Sequence, residues 1–121
     1  MARLERIFDK HRHNVTAVRF SPNDSLIISG SVDSTIKIWK RESGEIVQEI
    51  KQPDGITYLD LSADGNYIVT SCYDSRVRLW RIQDASLIKE FNGHTGTVWT
   101  VDFSPDGKKI VSSRDDASNN V

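Results

Sequence analysis

Cysteine is almost absent from this sequence, since Cys72 is the only one among 121 residues. A single cysteine cannot form an internal disulfide, and a structural zinc site needs several clustered ligands. Long apolar runs are also missing, and the N-terminal segment lacks the apolar core of a secretory signal. The sequence therefore predicts an intracellular protein, cytoplasmic or nuclear, that neither crosses a membrane nor depends on disulfides.

An excess of charge of either sign is missing as well. Sixteen Lys and Arg residues against seventeen Asp and Glu residues leave a formal net charge of -1. This balance provides no global attraction to nucleic acid or to an anionic membrane surface. A hydrophobic fraction of 37% with 27% charged residues is typical of a folded globular chain. We therefore expect neither a nucleic-acid partner nor a membrane partner.

The sequence does contain one repeat unit, which occurs nearly three times. The segment 20–24 (FSPND) returns as 61–65 (LSADG) and as 103–107 (FSPDG), while 36–39 (IKIW) returns as 77–80 (VRLW). The repeat length is 41 residues and then 42. A fixed period of this size is typical of repeat architectures, in which each unit is one supersecondary element.

Each unit predicts four short strands. In the first unit, β-branched segments at 15–20, 26–31, 35–40 and 45–50 are bounded by turn residues. The second segment is nearly continuously apolar or small, so both of its faces must be covered. Helical periodicity is lacking, and the loops are too short for β-α-β crossovers. These features predict an all-β fold of four-stranded antiparallel sheets stacked face to face around an axis, as the blades of a propeller.

These residues resemble the repeat of the WD-repeat (G-protein-β-like) β-propeller family. Gly-His at 93–94 and VWTVDFSPDG at 98–107 are similar to the opening of that repeat, and SVDSTIKIW at 31–39 is similar to its closing half. Lys40 and Arg81 stand where the family often has Asp. The resemblance implies one incomplete, open propeller segment over 1–121. It divides into an outer strand at 3–8, repeat one at 11–50, repeat two at 52–91 and a truncated repeat three at 94–121.

The resemblance also implies a buried hydrogen-bonded tetrad of His, Ser or Thr, Asp and Trp in each blade. Such groups are costly when buried singly and rigidifying when each satisfies another. In the second repeat Gln52 takes the His position and Cys72, a weak donor, takes the hydroxyl position, which predicts a looser second blade. In the third, Arg114 replaces the hydroxyl. The implied members are His11, Ser31, Asp33, Trp39, Asp74, Trp80, His94 and Asp116.

Peptide binding is implied on the rim where loops enter the first strand and link the second strand to the third. Tyr73 and Trp99 have priority there, because large aromatic side chains dominate interface energetics. Trp99 lies on the same face of its strand as Val101 and Phe103, so packing against a neighbouring blade is the alternative for this residue. The implied rim residues are Asn14, Thr16, Val32, Thr57, Tyr73, Thr97, Trp99 and Asp115.

The resulting functional prediction is a non-catalytic protein–protein interaction scaffold without cofactor or metal. A hydrolase is disfavoured because Ser31 and Asp33 should point into the blade and no nucleophile elbow follows a strand. The basic segment 10–13 is interpreted as a solvated loop, since no aromatic stacking platform is interleaved with it. His11, His13 and Cys72 lack a recognised metal-ligand spacing.

Two alternatives concern the ends of the chain. Segment 4–8 aligns with the outer strand at 87–91, and the sequence stops where the third repeat should have its Trp. End sheets without neighbours expose apolar faces and strand edges. The first alternative is therefore a self-assembling fragment whose copies complete a ring through the open blade faces. The second is a truncated product without independent function.

Overall fold

The protein is built from ten short strands, as a computed structural model describes it over residues 11–23, 25–92 and 97–114. In these ranges the strands are β1 (Val15–Phe20), β2 (Leu26–Ser31), β3 (Thr35–Lys40), β4 (Ile46–Lys51), β5 (Ile56–Leu61), β6 (Tyr67–Cys72), β7 (Val77–Arg81), β8 (Ser86–Phe91), β9 (Val98–Phe103) and β10 (Ile110–Arg114). No helix occurs among the described residues. The outer strand predicted at 3–8 lies outside them.

The strands form three antiparallel sheets. Sheet one has the order β1-β2-β3-β4, sheet two has the order β5-β6-β7-β8, and sheet three contains β9 and β10. Within each sheet, every strand pairs with the next along the chain, as short turns require. The described part of the chain leaves the propeller open. The predicted all-β fold of four-stranded antiparallel blades is therefore confirmed.

The repeated turn between the first two strands of each sheet owes its shape to a serine and an acidic or amide side chain. Ser62 Oγ donates to Asp64 Oδ1 (2.6 Å) and accepts a bond from the amide of Tyr67 (3.0 Å). Ser104 and Asp106 make the same contacts in sheet three. Gly65 follows with φ of 77°, a conformation that glycine adopts without strain. The spacing of this motif is the same in each repeat, so the chain reverses direction in the same way each time.

The core consists of two layers, one on each face of sheet two. Between sheets one and two lies a layer that includes Ile28, Ile36, Ile56 and Ile68. Between sheets two and three lies a smaller layer of Val69, Val77, Val98 and Val101. Strand β6 is buried on both faces, and this explains why its sequence shows no alternation of polar and apolar residues.

Candidate interaction surface

One rim of the blades brings together the segments that enter the first strands and the loops that follow the second strands. The amide of Val32 donates to Asn14 O (3.1 Å), and the amide of Tyr73 donates to Gly55 O (2.9 Å). The following aspartates close both loops, because Asp33 Oδ1 and Asp74 Oδ1 accept the amides of residues 35 and 76. Backbone bonds therefore hold residues 32 and 73 at equivalent rim positions.

A continuous chain of hydrogen bonds lies directly beneath this rim in blade one. His11 Nδ1 is 2.9 Å from Asp33 Oδ2, and His11 Nε2 is 2.7 Å from Ser29 Oγ. The indole N–H of Trp39 donates to the same Ser29 oxygen (2.9 Å). Because an ionised carboxylate can only accept, His11 donates to Asp33 from Nδ1. His11, Asp33 and Trp39 are thus joined as polar partners inside the blade.

The hydroxyl that joins them is that of Ser29, whereas the sequence analysis assigned Ser31 to this position. Ser31 Oγ instead donates to Asn14 O (2.8 Å) and accepts the amide of Asp33 (3.1 Å). The two serines share one face of β2, since side chains alternate with a period of two. Ser29 lies one pleat deeper, level with the Trp39 indole, while Ser31 lies at the strand end, level with the entry segment.

In blade two, a buried arginine takes the place of the hydrogen-bond chain that passes through His11 in blade one. Arg78 donates to Asp74 Oδ2 (2.7 Å) and to Glu90 Oε1 (2.8 Å), although its side chain is almost fully buried. Trp80 Nε1 donates to Thr70 Oγ1 (3.2 Å), as Trp39 does to Ser29. Cys72 Sγ and Gln52 Oε1 are only in weak contact, at 3.8 Å. Arg78 was not predicted from the sequence, although a cation within an apolar strand, twelve residues before Glu90, repeats the pattern of Lys37 and Glu49.

The buried polar groups differ in their preference for charge. Burial works against ionisation of Asp33, but hydrogen bonds from Thr35, His11 and the Arg12 amide outweigh it and hold the pKa of this carboxyl well below its usual range. Burial, together with the nearby Asp74 carboxylate, raises the pKa of Cys72 to about 12. The thiol is therefore protonated at neutral pH. Among the described residues, no group of three or more His, Cys, Asp or Glu side chains could hold a metal ion.

Two of the predicted rim residues are engaged between blades. Thr16 Oγ1 donates to Ile56 O of the next sheet (2.8 Å). Thr57, at the equivalent position in blade two, donates to Val98 O and contacts Ser71 Oγ at 2.7 Å. Both hydroxyls therefore connect neighbouring blades. Asn14 and Val32 remain at the surface to different extents, since Asn14 is exposed and Val32 is half-buried.

Tyr73 and Trp99 meet on this rim. Their ring centroids are 5.7 Å apart with an interplanar angle of 87°, which is an edge-to-face contact. Tyr73 remains 40% exposed and Trp99 43% exposed. Trp99 occupies the position that Thr16 and Thr57 hold in the earlier blades, so blade three presents an aromatic ring there. Thr97 is half-buried beside it. His94, Asp115 and Asp116 lie outside the described residues.

The family model "WD domain, G-beta repeat" matches residues 2–40, 44–81 and 85–120. The second match begins just before outer strand β4 and ends with β7, the third strand of the following sheet, while the third match begins just before outer strand β8 and extends past β10. A sequence repeat and a structural blade are thus offset by one strand. No helix in the described ranges has the length and apolar character needed to cross a membrane.

Similar proteins include the Lissencephaly-1 homolog of Dictyostelium discoideum, which is 44% identical over 45 residues, or 37% of this chain and 11% of that protein. Nuclear distribution protein PAC1 of Tuber melanosporum is 40% identical over 50 residues, or 41% of this chain and 11% of that protein. The crystal structure of RRP9 WD40 repeats has a TM-score of 0.85 at 24% identity, covering 89% of this chain and 34% of that one.

The chain therefore spans about a tenth of the length of the curated relatives it matches. The structural likeness supports the propeller fold, and the three matched repeats cover most of the sequence. WD repeats indicate a protein-interaction scaffold, and WD-repeat propellers are typically non-catalytic. On these grounds the chain belongs to the WD-repeat family.

Proposed function

We propose that this chain is a non-catalytic scaffold that binds a partner's peptide on the rim, with Tyr73 and Trp99 as the anchor. The observation that carries the proposal is the edge-to-face pair itself. Two large aromatic rings from adjacent blades touch each other, yet about two fifths of the surface of each residue stays exposed to solvent. Aromatic side chains of this kind are enriched among the residues that dominate binding energy.

The backbone beneath the pair supports binding without rearrangement. Tyr73 is held by its amide bond to Gly55 O, and Trp99 stands at a register shift of β9 between Val98 and Thr100, both of which pair with β10. Gly55 also permits the close packing of this rim, because a Cβ there would lie 3.1 Å from both Val32 Cα and Tyr73 Cδ2. An anchor that is already ordered loses little conformational entropy when a peptide binds.

A catalytic role is not part of this proposal, although Ser29, His11 and Asp33 stand in the order of a hydrolytic triad. The His11 side chain is only 2% exposed, so a substrate cannot reach it. Ser29 is buried as well, and its oxygen already accepts the Trp39 indole proton. A nucleophile must be accessible and face an oxyanion site. We therefore propose that these hydrogen bonds make the blade rigid. We also propose that the scaffold lies inside the cell, in the cytoplasm or the nucleus.

Selection of peptides from a phage-displayed library of random dodecapeptides on the immobilised chain tests the proposal. Selected peptides are then synthesised and titrated against the wild type and against Tyr73→Ala and Trp99→Ala. Loss of either ring should weaken binding by about tenfold or more, corresponding to about 1.4 kcal/mol. Phe20→Ala is the matched control, because Phe20 is an aromatic residue with 57% exposure at the opposite end of its strand. Equal affinities for all four proteins would contradict the proposal.

Self-association is a second candidate function, supported by apolar side chains exposed on the two end sheets. Val18 and Phe20 are exposed on β1, and Val111 is exposed on β10. Exposed apolar surface of this kind favours contact between copies. Sedimentation equilibrium over a wide concentration range should then give a discrete oligomer of two to four chains, whose dissociation is promoted by Val18→Lys. A strictly monomeric chain at every concentration would contradict this candidate.

A further inference from the structure

A polar groove of about 600 Å³ opens on blade one beside the rim. Its walls include the cations Arg12, Lys37 and Lys51 and the carboxylates Asp33 and Glu49. Ser34 forms part of the same wall and stands in the left-handed backbone region with φ of 71°. Cations therefore outnumber carboxylates by one in the lining of this groove.

Both carboxylates in the groove are already satisfied. Asp33 accepts bonds from His11, from the Arg12 amide and from Thr35. Glu49 Oε1 accepts a bond from Lys37 Nζ at 2.8 Å, and this bond lowers the pKa of Glu49. Both groups thus stay ionised at neutral pH without needing a further cation. Lys37 is already paired with Glu49 in the same salt bridge.

Arg12 and Lys51 are the two cations that remain available. Both are exposed, and neither forms a salt bridge with a described residue, although the charge of Lys51 also helps to lower the pKa of Glu49. Their side chains approach the groove from different segments, one from the entry to blade one and the other from the end of β4. An arginine guanidinium matches the two oxygens of a carboxylate, and a lysine ammonium adds a second, adaptable donor. The two cations can therefore bind an anionic side chain.

The groove is linked by loop contacts to the rim that holds the aromatic pair. The amide of Gln52 donates to Ser34 O (2.8 Å), which joins the groove to the loop carrying Val32. That loop packs on Gly55, and Gly55 in turn packs on Tyr73. An extended peptide gains about 3.3 Å of reach with each residue, so a peptide of sufficient length would contact the aromatic pair and the groove together.

We propose that the groove receives the carboxylate of an Asp or Glu residue from the same peptide whose apolar side chain packs on Tyr73 and Trp99. This inference rests on the proposed function and specifies the partner as an acidic peptide. The ligand is a protein segment rather than nucleic acid, since the described lining offers only two available cations to meet a phosphate backbone. Recognition by two exposed cations also makes this part of the interface sensitive to salt.

The test compares two labelled probes, a peptide selected on the wild-type chain and octaglutamate, by fluorescence anisotropy. The variant Arg12→Glu/Lys51→Glu reverses both available cations. Lys108→Glu/Lys109→Glu changes the net charge equally on the turn between β9 and β10, at the opposite end of the blades, and is the matched control. Circular dichroism verifies that both variants keep the β-sheet signal.

Support for the groove consists of enrichment of Asp and Glu in the selected peptides and about tenfold weaker binding of both probes by the Arg12/Lys51 variant but not by the control. Replacing the peptide's acidic residues with their amides should abolish that difference. If selected peptides need Tyr73 and Trp99 but ignore the Arg12/Lys51 reversal, the groove proposal fails and the proposed function stands. If no peptide is selected, the proposed function fails, and the groove proposal is then judged by octaglutamate binding alone. Octaglutamate that binds the wild type but not the Arg12/Lys51 variant supports the groove, whereas octaglutamate that does not bind the wild type overturns it. Preference for a phosphorylated peptide over its Glu counterpart would also overturn the proposal.

Discussion

A single hydroxyl group joins two ring nitrogens in the first blade. Ser29 Oγ lies 2.7 Å from His11 Nε2 and 2.9 Å from Trp39 Nε1, and all three groups are inside the blade. Ser29→Ala would leave two buried ring nitrogens without this partner. Because an unsatisfied buried polar group costs about 1–3 kcal/mol, the free energy of unfolding should fall by about that amount. Urea titration followed by tryptophan fluorescence measures the change.

Ser43→Ala provides the comparison for that prediction. Ser43 is exposed in the turn before β4, and its oxygen accepts the amide of Glu45. Exposed substitutions of this kind usually change stability by no more than about 0.5 kcal/mol. Equal losses in Ser29→Ala and Ser43→Ala would show that the buried hydroxyl has no special role.

Asp33 couples this chain of bonds to pH. Its carboxyl has a folded-state pKa below the unfolded value of 3.8. A lowered folded pKa contributes stability that is fully present above the unfolded pKa and is lost as pH falls through the folded pKa. The wild type should therefore lose stability below about pH 4, and Asp33→Asn should lose part of this acid dependence. Unfolding free energies of both proteins at pH 7 and through the acid range test this. A variant with the full wild-type pH dependence would contradict it.

At the residue scale, a repeat pattern in the sequence locates some buried polar positions, but it does not give the depth of a side chain within the blade. The positions of Asp33 and Trp39 follow from the closing half of the repeat. The choice between Ser29 and Ser31 depended on how far His11 reaches along β2, and two serines on one strand face cannot be distinguished by spacing. Arg78 was missed because its partners, Asp74 and Glu90, come from a loop and an outer strand that meet only in the folded sheet.

At the scale of elements, strand β2 passes very close to strand β5 of the next blade. A Cβ at Gly30 would lie 2.7 Å from Ile56 Cγ2 and 2.9 Å from Leu59 Cδ2, both of them buried side chains. Gly30→Ala should therefore force sheets one and two apart. Overpacking of this kind costs about 1–3 kcal/mol, measurable by urea unfolding.

Gly107→Ala separates this steric effect from the general cost of replacing glycine. Gly107 has φ of 73°, but a Cβ there would meet nothing within 4 Å. That substitution should cost about 1 kcal/mol for the backbone conformation alone. If Gly30→Ala is the milder of the two, the contact between β2 and β5 is not tightly packed.

Strands and turns could be predicted from the sequence because they depend on local patterns. The observed strand β4 begins one residue later than predicted, and β1 to β3 have the predicted bounds. The bonds from Thr16 and Thr57 to the next blade could not be predicted in this way. Their acceptors lie about forty residues further along the chain, and only the stacking of sheets brings them within reach.

At the scale of the whole molecule, sheet two lies between two neighbours, while the described parts of sheets one and three each contact one. Stability in such a stack is approximately the sum of blade terms and of interfaces between neighbours. Amide hydrogen exchange should therefore be slowest in β6 and β7, which contribute residues to both core layers. Exchange should be faster in the outer strands β4 and β8, where alternate or successive side chains face solvent.

Val101→Ala tests the direction of this coupling. Val101 belongs to the layer between sheets two and three, and the layer between sheets one and two does not include it. Shortening its side chain weakens the smaller layer, since a cavity is left in a closely packed core. Amides of β9 and β10 should then exchange faster, β6 should respond less, and β2 and β3 should keep their protection. Equal acceleration in all strands would mean that the described sheets unfold as one cooperative unit, so that nearest-neighbour stacking does not describe their stability.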